Sequence, residues 1–563
     1  MKILGIQKDH NSSACLFIDN ELVYYNQEER LSRYKKDSGL PVYTLKEISK
    51  ISNSIDVLLI AGYDTISSEN SSIITTITKL GFTLSDNFKF EPYYKSHHLN
   101  HASLAFYNSQ FEEALVVVCD GHGASYNLNN GEYAQETTSI FSVSNPNNFN
   151  LLYKRLFTNS KIQPDTKIIW NNSLGEYRTP VPNYVGKDTE IEIRNDYDLG
   201  FMYEGTSRSL GFDDEGGKMM SLQSFGNSEN NIPPVMKGNK FNMNVFEYND
   251  EYKHKHFNYL TYPELKNTQT MINFSNSVQK TFQENGLRQI KKYLEVSKNK
   301  NLVLTGGTAL NVVANDYYAK NLKGTKIYVE PMCGDEGNCL GICNHFLATN
   351  MNKKIKPLSV YIGGSVPQYD YKLKENEKEI SNADHKVAAD LIRAGHIVAL
   401  FQGKSEAGPR ALGNRSLLFD PRISNGKDIV NTVKGREDFR PFAAAIMQEY
   451  SNEWFDLDNI EESPYMMFAV NFKNNFYNKV PAVNHIDNTC RVQTVTQTQN
   501  NILYSIIKEF FKNTNIPMLL NTSFNLAGDP IVETVDDAIN SLRKSKIEYL
   551  YLPEISKLIY IKN

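Results

Sequence analysis

Short apolar runs alternate with helix-like segments along this chain, and this alternation limits the fold more than any other feature. Four of the runs cover residues 58–61, 114–119, 302–305 and 327–329, and each has the length of a buried strand. Strands that alternate with helices predict an α/β sheet rather than an all-α or all-β domain. No run approaches the roughly 20 apolar residues of a membrane-spanning helix, so we expect no membrane segment.

The first 25 residues predict a β-meander, because apolar runs at 2–6, 13–18 and 21–25 are separated by short polar turns. After about residue 350 the chain becomes more charged, and a second α/β pattern follows. We therefore expect two domains, residues 1–355 and 356–563. No repeat is visible. The stretch 228–262 is predicted to be an irregular insertion.

Composition limits location and partners. The chain has 563 residues, which is enough for at least two domains, and six cysteines without a CxxC pair. That usage is typical of reduced thiols, so we expect a cytoplasmic protein. The formal net charge of -4 provides no general attraction to nucleic acid or to anionic membranes. Contact with a polyanion would need a local basic patch.

A metal site is the first candidate. His97 and His101 are four residues apart, so on a helix both imidazoles share one face. Surface or capping histidines use the same spacing, and the glutamate of a zinc-protease HExxH is absent. Asp120 and Asp335 each follow an apolar strand, where a carboxylate either binds a ligand or caps a turn. The mixed N/O set suits Fe(II), Mn(II) or Zn(II) better than Mg(II) alone.

Glycines and arginines form the next candidates. Gly306 and Gly307, with Asn311, follow a strand as a phosphate-binding turn does, although a purely structural turn is equally compatible. Residues 403–440 hold eight Lys or Arg against five Asp or Glu, a local net charge of +3. Arginines beside Gly and Pro favour phosphate recognition over a solvated charged face. Further donors follow at Arg491 and Asn521.

These motifs resemble the O-carbamoyltransferase family, which includes the nodulation-factor, cephamycin and tobramycin carbamoyltransferases. The matching strings, in family order, are HHLNHASLAFY, VCDGHG, GGTALN, GDEG, SEAGPRALGNRS, KGREDFRPF, DNTCRVQTV and NTSFNLAGDPIVET. The resemblance implies an N-terminal actin-like (ASKHA) domain and a C-terminal YrdC-like domain. It also implies that carbamoyl phosphate and ATP with Mg²⁺ form carbamoyl adenylate, whose carbamoyl group passes to an acceptor hydroxyl.

The resemblance also assigns roles to residues. It implies an Fe²⁺ site, or a site for another divalent transition metal, at His97, His101, Asp120 and Asp335. His10 falls where the family has a proton acceptor, and Lys35 matches a lysine near the nucleotide. Asn11 departs from the Asp that many members have after this histidine. The remaining matches are nucleotide-binding Gly306, Gly307, Asn311, Lys434 and Asn521, and phosphate-binding Arg410, Arg415, Arg440 and Arg491.

The acceptor stays open between two classes. Phage-related members of the family carbamoylate 5-hydroxymethylcytosine in DNA, and others act on small-molecule hydroxyls. Basic and aromatic residues alternate within 228–262, as in a single-strand or flipped-base surface, although a solvated loop fits equally well. They are Lys237, Lys240, Phe241, Phe246, Tyr252, Lys253, His254, Lys255, His256 and Phe257.

The sequence leaves two alternative functions open. One is a threonylcarbamoyl-type tRNA modification enzyme, which shares both folds. The other is an actin-like nucleotide-sensing scaffold without turnover. A homodimer is a default expectation that no motif supports.

Overall fold

The protein is described here from a computed structural model. The structure describes residues 1–62, 67–92, 97–168, 185–210, 212, 216–228, 235–237, 240–242, 246–248, 257–260 and 268–562. The chain forms two compact units. The first contains residues 1–28 and 38–358, and the second contains residues 29–37 and 359–563.

Two large sheets and eight helices make up most of the described part of the first unit, and the short helix α1 begins at the border of the unit. In chain order the elements are β1 (Lys2–Gln7), β2 (Ser13–Ile18), β3 (Glu21–Gln27), α1 (Glu28–Ser32), α2 (Val42–Ile51), β4 (Ser54–Ala61), α3 (Ser67–Lys79), β5 (Thr83–Pro92), α4 (His97–Ser109), β6 (Glu113–Cys119), β7 (Ser125–Asn127), β8 (Tyr133–Ser144), β9 (Asn148–Phe157), β10 (Val185–Arg194), α5 (Leu199–Ser209), α6 (Gly216–Leu222), β11 (Met236–Lys237), β12 (Lys240–Phe241), β13 (Phe246–Tyr248), β14 (Phe257–Leu260), α7 (Thr268–Ser297), β15 (Asn301–Thr305), α8 (Val312–Asn321), β16 (Lys326–Val329) and α9 (Asn338–Met351).

The first sheet has the strand order β3-β2-β1-β4-β5. Its first three strands are antiparallel neighbours, which confirms the predicted meander, and β4 and β5 join in parallel. The second sheet contains the run β9-β8-β6-β15-β16, again an antiparallel meander followed by two parallel strands. The first unit therefore contains one topology twice, although the sequence shows no repeat.

Helices α4 and α9 connect the two sheets. Helix α9 packs on β1, β2 and β4, α4 packs on β6, β8 and β15, and the two helices pack against each other. Residues 97–108 of α4 are all buried, which explains why the helix has little amphipathic pattern. The four predicted apolar runs lie within β4, β6, β15 and β16, so the α/β prediction is confirmed.

The predicted irregular insertion contains some regular structure. Two short antiparallel ribbons, β11 with β12 and β13 with β14, lie between 236 and 260. Lys237, Lys240, Phe241, Phe246 and Phe257 belong to these strands. Residues 252–256, which include the basic and aromatic residues Tyr252, Lys253, His254, Lys255 and His256, lie outside the described residues.

The second unit is built on a ten-stranded mixed sheet with the order β17-β26-β25-β18-β19-β24-β20-β23-β22-β21. Its elements are β17 (Glu377–Ser381), α10 (His385–Arg393), β18 (Val398–Phe401), β19 (Arg415–Phe419), α11 (Gly426–Lys434), β20 (Ala443–Met447), α12 (Gln448–Trp454), β21 (Phe455–Asp456), β22 (Ala469–Phe472), β23 (Thr489–Val495), α13 (Asn501–Thr514), β24 (Met518–Ser523), α14 (Val535–Arg543), β25 (Tyr549–Leu552) and β26 (Lys557–Ile561).

Local sequence explains the helices of this unit. Helix α13 buries Leu503, Ile506, Ile507 and Phe510, which share one face at helical spacing. The Asn500 side chain caps its first turn by accepting a hydrogen bond from Leu503 N at 3.1 Å. Helix α14 begins with a capping box between Thr534 and Asp537.

Residues 29–37 belong to the second unit although they come early in the sequence. Arg30, which is 1% exposed, donates from Nη2 to the carbonyl of Gly408 at 2.9 Å. Arg33 donates to the carbonyls of Ile531 and Pro530 at 2.7 and 2.9 Å. These arginines fix two loops of the second unit from a distant part of the chain.

Among the described residues, the helices are all too short or too polar to cross a bilayer.

Replacing Arg33 with alanine should destabilise the second unit. The variant loses two charged hydrogen bonds to backbone carbonyls, so we expect a loss of about 2 kcal/mol in its free energy of unfolding. The chain holds two tryptophans. In a Trp170→Phe background, the fluorescence of buried Trp454 reports urea unfolding of the second unit.

Arg288→Ala serves as the control, because Arg288 lies exposed on α7 in the first unit. An unchanged Trp454 midpoint in Arg33→Ala would contradict the assignment of residues 29–37 to the second unit.

Candidate metal centre and anion site

Four predicted ligands converge at one buried point in the first unit. His97 and His101 lie on the first turns of α4, Asp120 directly follows β6, and Asp335 lies in the turn before α9. One ligand atom from each residue lies within 4.8 Å of the others. The Nε2 atom of His101 is 3.3 Å from Asp120 Oδ2 and 3.4 Å from Asp335 Oδ1. The four residues therefore share a pocket of ion size.

The two imidazoles face each other across this point. His97 Nε2 lies 3.3 Å from His101 Nε2, 3.7 Å from Asp120 Oδ2 and 3.5 Å from Asp335 Oδ1. Both histidines are at most 1% exposed. Two ring nitrogens this close cannot both carry a proton without repulsion, so a shared cation suits the pair better than two separate protons.

Backbone donors orient Asp120. Its Oδ1 accepts hydrogen bonds from Gly121 N at 2.8 Å and from Gly307 N at 3.3 Å. Its Oδ2 is buried and accepts no hydrogen bond within the part of the chain that the structure describes. One oxygen is thus held by the backbone while the other faces the imidazoles, as expected of a metal ligand.

The Gly306–Gly307 turn serves this arrangement. Gly306 has a φ of 84°, and a Cβ there would lie 2.4 Å from the carbonyl oxygen of Cys119. Only glycine permits this approach of the turn to the end of β6. The turn predicted to bind a phosphate therefore lies against Asp120. Asn311 caps α8 through Ala314 N at 3.0 Å and exchanges hydrogen bonds with Gln279.

Electrostatics agree with a cation at this point. Burial opposes charge on His101, yet Asp120 and Asp335 raise its pKa to about 10. Burial likewise opposes ionisation of Asp120, but the two imidazoles hold its pKa well below the ordinary value. The carboxylates thus demand positive charge between them. Two imidazole nitrogens and two carboxylate oxygens fit a divalent transition metal.

A second cluster lies in the second unit and consists of cations. Burial lowers the pKa of Lys434 well below its ordinary value, and Arg436, Arg440 and Lys35 lower it further. Burial also lowers the pKa of Arg491, with Arg410, Arg436 and Arg440 adding to the effect. These six residues, Lys35, Arg410, Lys434, Arg436, Arg440 and Arg491, are called the cationic cluster below. Their mutual repulsion favours an anionic ligand.

Strand register places Arg491 of this cluster on the same face of the sheet as Asn521. Ala443 on β20 pairs with Arg491 on β23 and with Asn521 on β24, so the three side chains share one face of the sheet. Asn521 donates to Gln493 on the same face at 2.8 Å. The side chain of Ala443 itself is buried, in an apolar cluster with Val360, Leu412 and Met466.

Arg415 lies on the opposite face. On β19, Leu418 pairs with Asn521, so Arg415, three residues earlier, points to the other side. Its guanidinium donates to the carbonyls of Gln402, Asn414 and Glu533 and stacks on Phe401 at 3.7 Å. The structure thus separates Arg415 from the other three predicted phosphate ligands.

The remaining predicted residues have separate places. His10 is exposed in the turn between β1 and β2, in the first unit. Lys35 lies in the 29–37 segment, in the second unit. Lys434 also donates to the carbonyl and side-chain oxygens of Asn525, both at 3.0 Å, and so anchors the loop after β24.

Arg436 also belongs to the cationic cluster, although the sequence motifs did not predict it as a ligand. It is held by Asn431 Oδ1 at 2.6 Å and by the carbonyl of Pro441 at 3.2 Å, and it stacks on Phe442. Its position in KGREDFRPF, between the predicted ligands Lys434 and Arg440, was the sequence feature that could have indicated it. Its proximity to Arg491 depends on strand pairing, which the motif does not reveal.

Comparison with known proteins identifies the family of this chain. The family model described as carbamoyltransferase N-terminus matches residues 69–343, and that described as carbamoyltransferase C-terminus matches residues 389–557. The nodulation protein NolNO of Sinorhizobium fredii is 29% identical over 96% of this chain and 78% of its own length.

Other proteins are similar to this chain over larger or smaller parts of its length. The 3'-hydroxymethylcephem-O-carbamoyltransferase of Streptomyces clavuligerus is 33% identical over 44% of this chain and 46% of its own. An uncharacterized protein of Synechocystis is 28% identical over 98% and 95%. Full-length HypF, in its phosphate- and nucleotide-bound form, aligns with 62% of this chain and 55% of its own at 12% identity and a TM-score of 0.34, a similarity too low to bear on function. Because it matches both the N-terminal and the C-terminal model of one family, this chain belongs to the carbamoyltransferases and is an enzyme of that type.

Proposed function

We propose that the protein is an ATP-dependent O-carbamoyltransferase that makes carbamoyl adenylate and transfers its carbamoyl group to an acceptor hydroxyl. The observation that carries this proposal is the cationic cluster. For Lys434 and Arg491, the largest electrostatic effects on the pKa come from other cations. In this cluster Lys434 is buried and the four arginines are partly buried, and such a set of repelling cations suits a triphosphate and a second phosphorylated substrate.

The activation step belongs to the second unit. Carbamoyl phosphate and water give carbamate and phosphate, and a carbamate oxygen then attacks the α-phosphorus of ATP, so that the bond to pyrophosphate breaks. Arg410, Arg440 and Arg491, together with Arg436, would bind the phosphoryl oxygens, with Mg²⁺ accompanying ATP. Arg415 would fix the loop that carries Arg410, because its hydrogen bonds go to backbone carbonyls.

The transfer step belongs to the first unit. The acceptor oxygen attacks the carbamoyl carbon, the bond to the AMP oxygen breaks, and the hydroxyl proton passes to a base, for which we propose His10. His97, His101, Asp120 and Asp335 would hold a divalent metal, with Fe²⁺ our first choice. When bound, such an ion supplies Lewis-acid stabilisation of the charge on the leaving phosphate.

The fold proposal is finer than the α/β class. The duplicated order of three antiparallel and two parallel strands supports an actin-like (ASKHA) first domain. For the ten-stranded second unit we propose a YrdC-like domain, with Lys35 near its nucleotide. We propose that five further residues bind the nucleotide: Gly306, Gly307, Asn311, Lys434 and Asn521.

For the acceptor we propose either 5-hydroxymethylcytosine in DNA or a small-molecule hydroxyl. Lys237 and Lys240 are adjacent in the ribbon of β11 and β12, and both are exposed. Exposed lysines on a ribbon are compatible with a DNA acceptor. Mass spectrometry of hydroxymethylcytosine oligonucleotides and aminoglycosides, with gain of one carbamoyl group as the readout, decides between the classes.

The proposal as a whole is tested by pyrophosphate release. With Fe²⁺ and Mg²⁺ present, the protein should release pyrophosphate from ATP only when carbamoyl phosphate is added. Complete absence of this release would overturn the transferase proposal and leave a role without turnover.

Removing a metal ligand should separate the two steps. His101→Ala and Asp120→Ala should lower carbamoyl transfer about 100-fold or more, because several kcal/mol of leaving-group stabilisation are lost. Carbamoyl-phosphate-dependent pyrophosphate release, which we assign to the second unit, should persist. Both rates are measured on the same preparation.

His396→Ala is the matched control, since His396 is partly exposed on the second unit and belongs to neither cluster. Transfer at the wild-type rate in His101→Ala would remove the metal centre from the mechanism.

Arg491→Met should weaken anion binding without lowering the stability of the ligand-free protein. The change removes a half-buried cation that its neighbours repel and whose Nε lacks an acceptor among the described residues. Losing one charged hydrogen bond should raise the KM for ATP about tenfold or more. Thermal unfolding followed by Trp454 fluorescence should show an unchanged or higher Tm without ligand.

Pyrophosphate should raise the Tm of the wild type and raise that of Arg491→Met less, by linkage. Arg393→Ala, an exposed change on α10, should match the wild type in both measurements. Equal pyrophosphate stabilisation of Arg491→Met and wild type would contradict the proposed anion site.

A further inference from the structure

We propose that Glu136, which none of the sequence motifs singled out, is the positioning residue of the metal centre. Its buried carboxylate holds α4, with its two histidines, in register with the loop that begins at Asp120. The inference rests on the metal centre proposed above.

One carboxylate oxygen joins two ligand-bearing elements. Glu136 Oε1 accepts from His98 N and from Ala124 N, each at 3.2 Å. His98 follows His97 on the first turn of α4, where backbone N–H groups lack partners within the helix. Ala124 ends the loop that starts at Asp120. A single atom therefore sets the distance between the helix and the loop.

The backbone of the same residue continues this connection. Glu136 N donates to the carbonyl of Ala124 at 3.0 Å, and Gly123 N donates to the carbonyl of Glu136 at 2.7 Å. A Cβ at Gly123 would lie 2.9 Å from both Glu136 Oε1 and His97 Cδ2. The carboxylate and the imidazole thus flank the same glycine, with no space for a side chain between them.

Neighbouring side chains fix the orientation of the carboxylate. Its other oxygen, Oε2, forms an ion pair with Lys154 and accepts from Tyr126 OH at 3.1 Å. Lys154 also donates to Ser139 Oγ at 3.0 Å, and that oxygen lies 2.9 Å from His98 Nδ1. Oε2 is therefore fully engaged, and Oε1 stays directed at the two backbone donors.

Stability alone does not account for this ion pair. Glu136 and Lys154 are each 1% exposed, and a buried pair of this kind contributes little net stability compared with apolar residues of similar size. The atom that affects the geometry of the metal centre is Oε1 of Glu136, because it accepts hydrogen bonds from both His98 N and Ala124 N. Its position matters because the ligand atoms of His97 and Asp120 must meet at one point.

A matched pair of double variants isolates that acceptor. Glu136→Gln with Lys154→Met removes both charges and keeps an oxygen for His98 N and Ala124 N. Glu136→Leu with Lys154→Met removes the charges and the oxygen. The probe is Co²⁺ alone, added to the metal-free full-length protein and followed by its visible d–d absorption. Glu132→Gln, an exposed change in the same hairpin, is the control.

We expect wild type, control and glutamine variant to bind Co²⁺ with similar affinity. The leucine variant should bind 10- to 100-fold more weakly, with an altered d–d spectrum. Equal Co²⁺ affinity and spectrum in the two folded double variants would overturn the proposal. Wild type that binds no Co²⁺ would instead refute the metal centre itself. Circular dichroism and Tm establish that each variant is folded.

If the leucine variant does not fold, Glu136→Asp decides. This variant keeps the charge and the pairing with Lys154 but withdraws the carboxylate by one methylene. It should bind Co²⁺ several-fold more weakly than wild type, and unchanged binding would overturn the positioning role.

Discussion

The contact between α4 and α9 is the constraint on which the candidate metal centre depends. A Cβ at Gly341 of α9 would lie 2.1 Å from the carbonyl oxygen of Asn100 on α4, so the helices meet backbone to backbone. Helix α4 carries His101, and the turn before α9 carries Asp335. Their ligand atoms are 3.4 Å apart because the helices approach this closely. A larger residue at 341 would separate the helices and open the centre, although it would touch no ligand.

Charge is arranged in opposite ways at the candidate metal site and in the cationic cluster. Around the candidate metal site, buried charges face opposite charges: Glu136 pairs with Lys154, and Asp120 and Asp335 face the imidazoles of His97 and His101. In the second unit Lys434, Arg436 and Arg491 are surrounded mainly by other cations. The paired charges give the candidate metal site a rigid framework, whereas the neighbouring like charges of the cationic cluster favour an anionic ligand, as proposed.

Local patterns predicted what depends on local physics. The apolar runs predicted the central strands, and helical spacing predicted that His97 and His101 share one face. The position of Asp120 at a strand end indicated that it could join them. Long-range pairing could not be predicted. The duplicated sheet topology is not accompanied by a sequence repeat. Arg415 and Arg491 lie on opposite faces of the sheet because of strand register. The contact of Glu136 with α4 depends on the packing of β8 beside that helix. The turn at Gly306 was visible as glycine-rich, but its hydrogen bond to Asp120 was not.

The segment 29–37 shows why a boundary in sequence differs from a boundary in structure. The carbonyls of Gly408, Pro530 and Ile531 accept hydrogen bonds from Arg30 and Arg33. A fragment that began at residue 356 would leave these carbonyls without their donors and would lack Lys35 beside Lys434. The loop of Gly408 also carries Arg410, so the cationic cluster depends on residues separated from it by more than 300 positions. Activation of the carbamoyl group, as proposed, would therefore need the N-terminal chain even though its chemistry lies in the second unit.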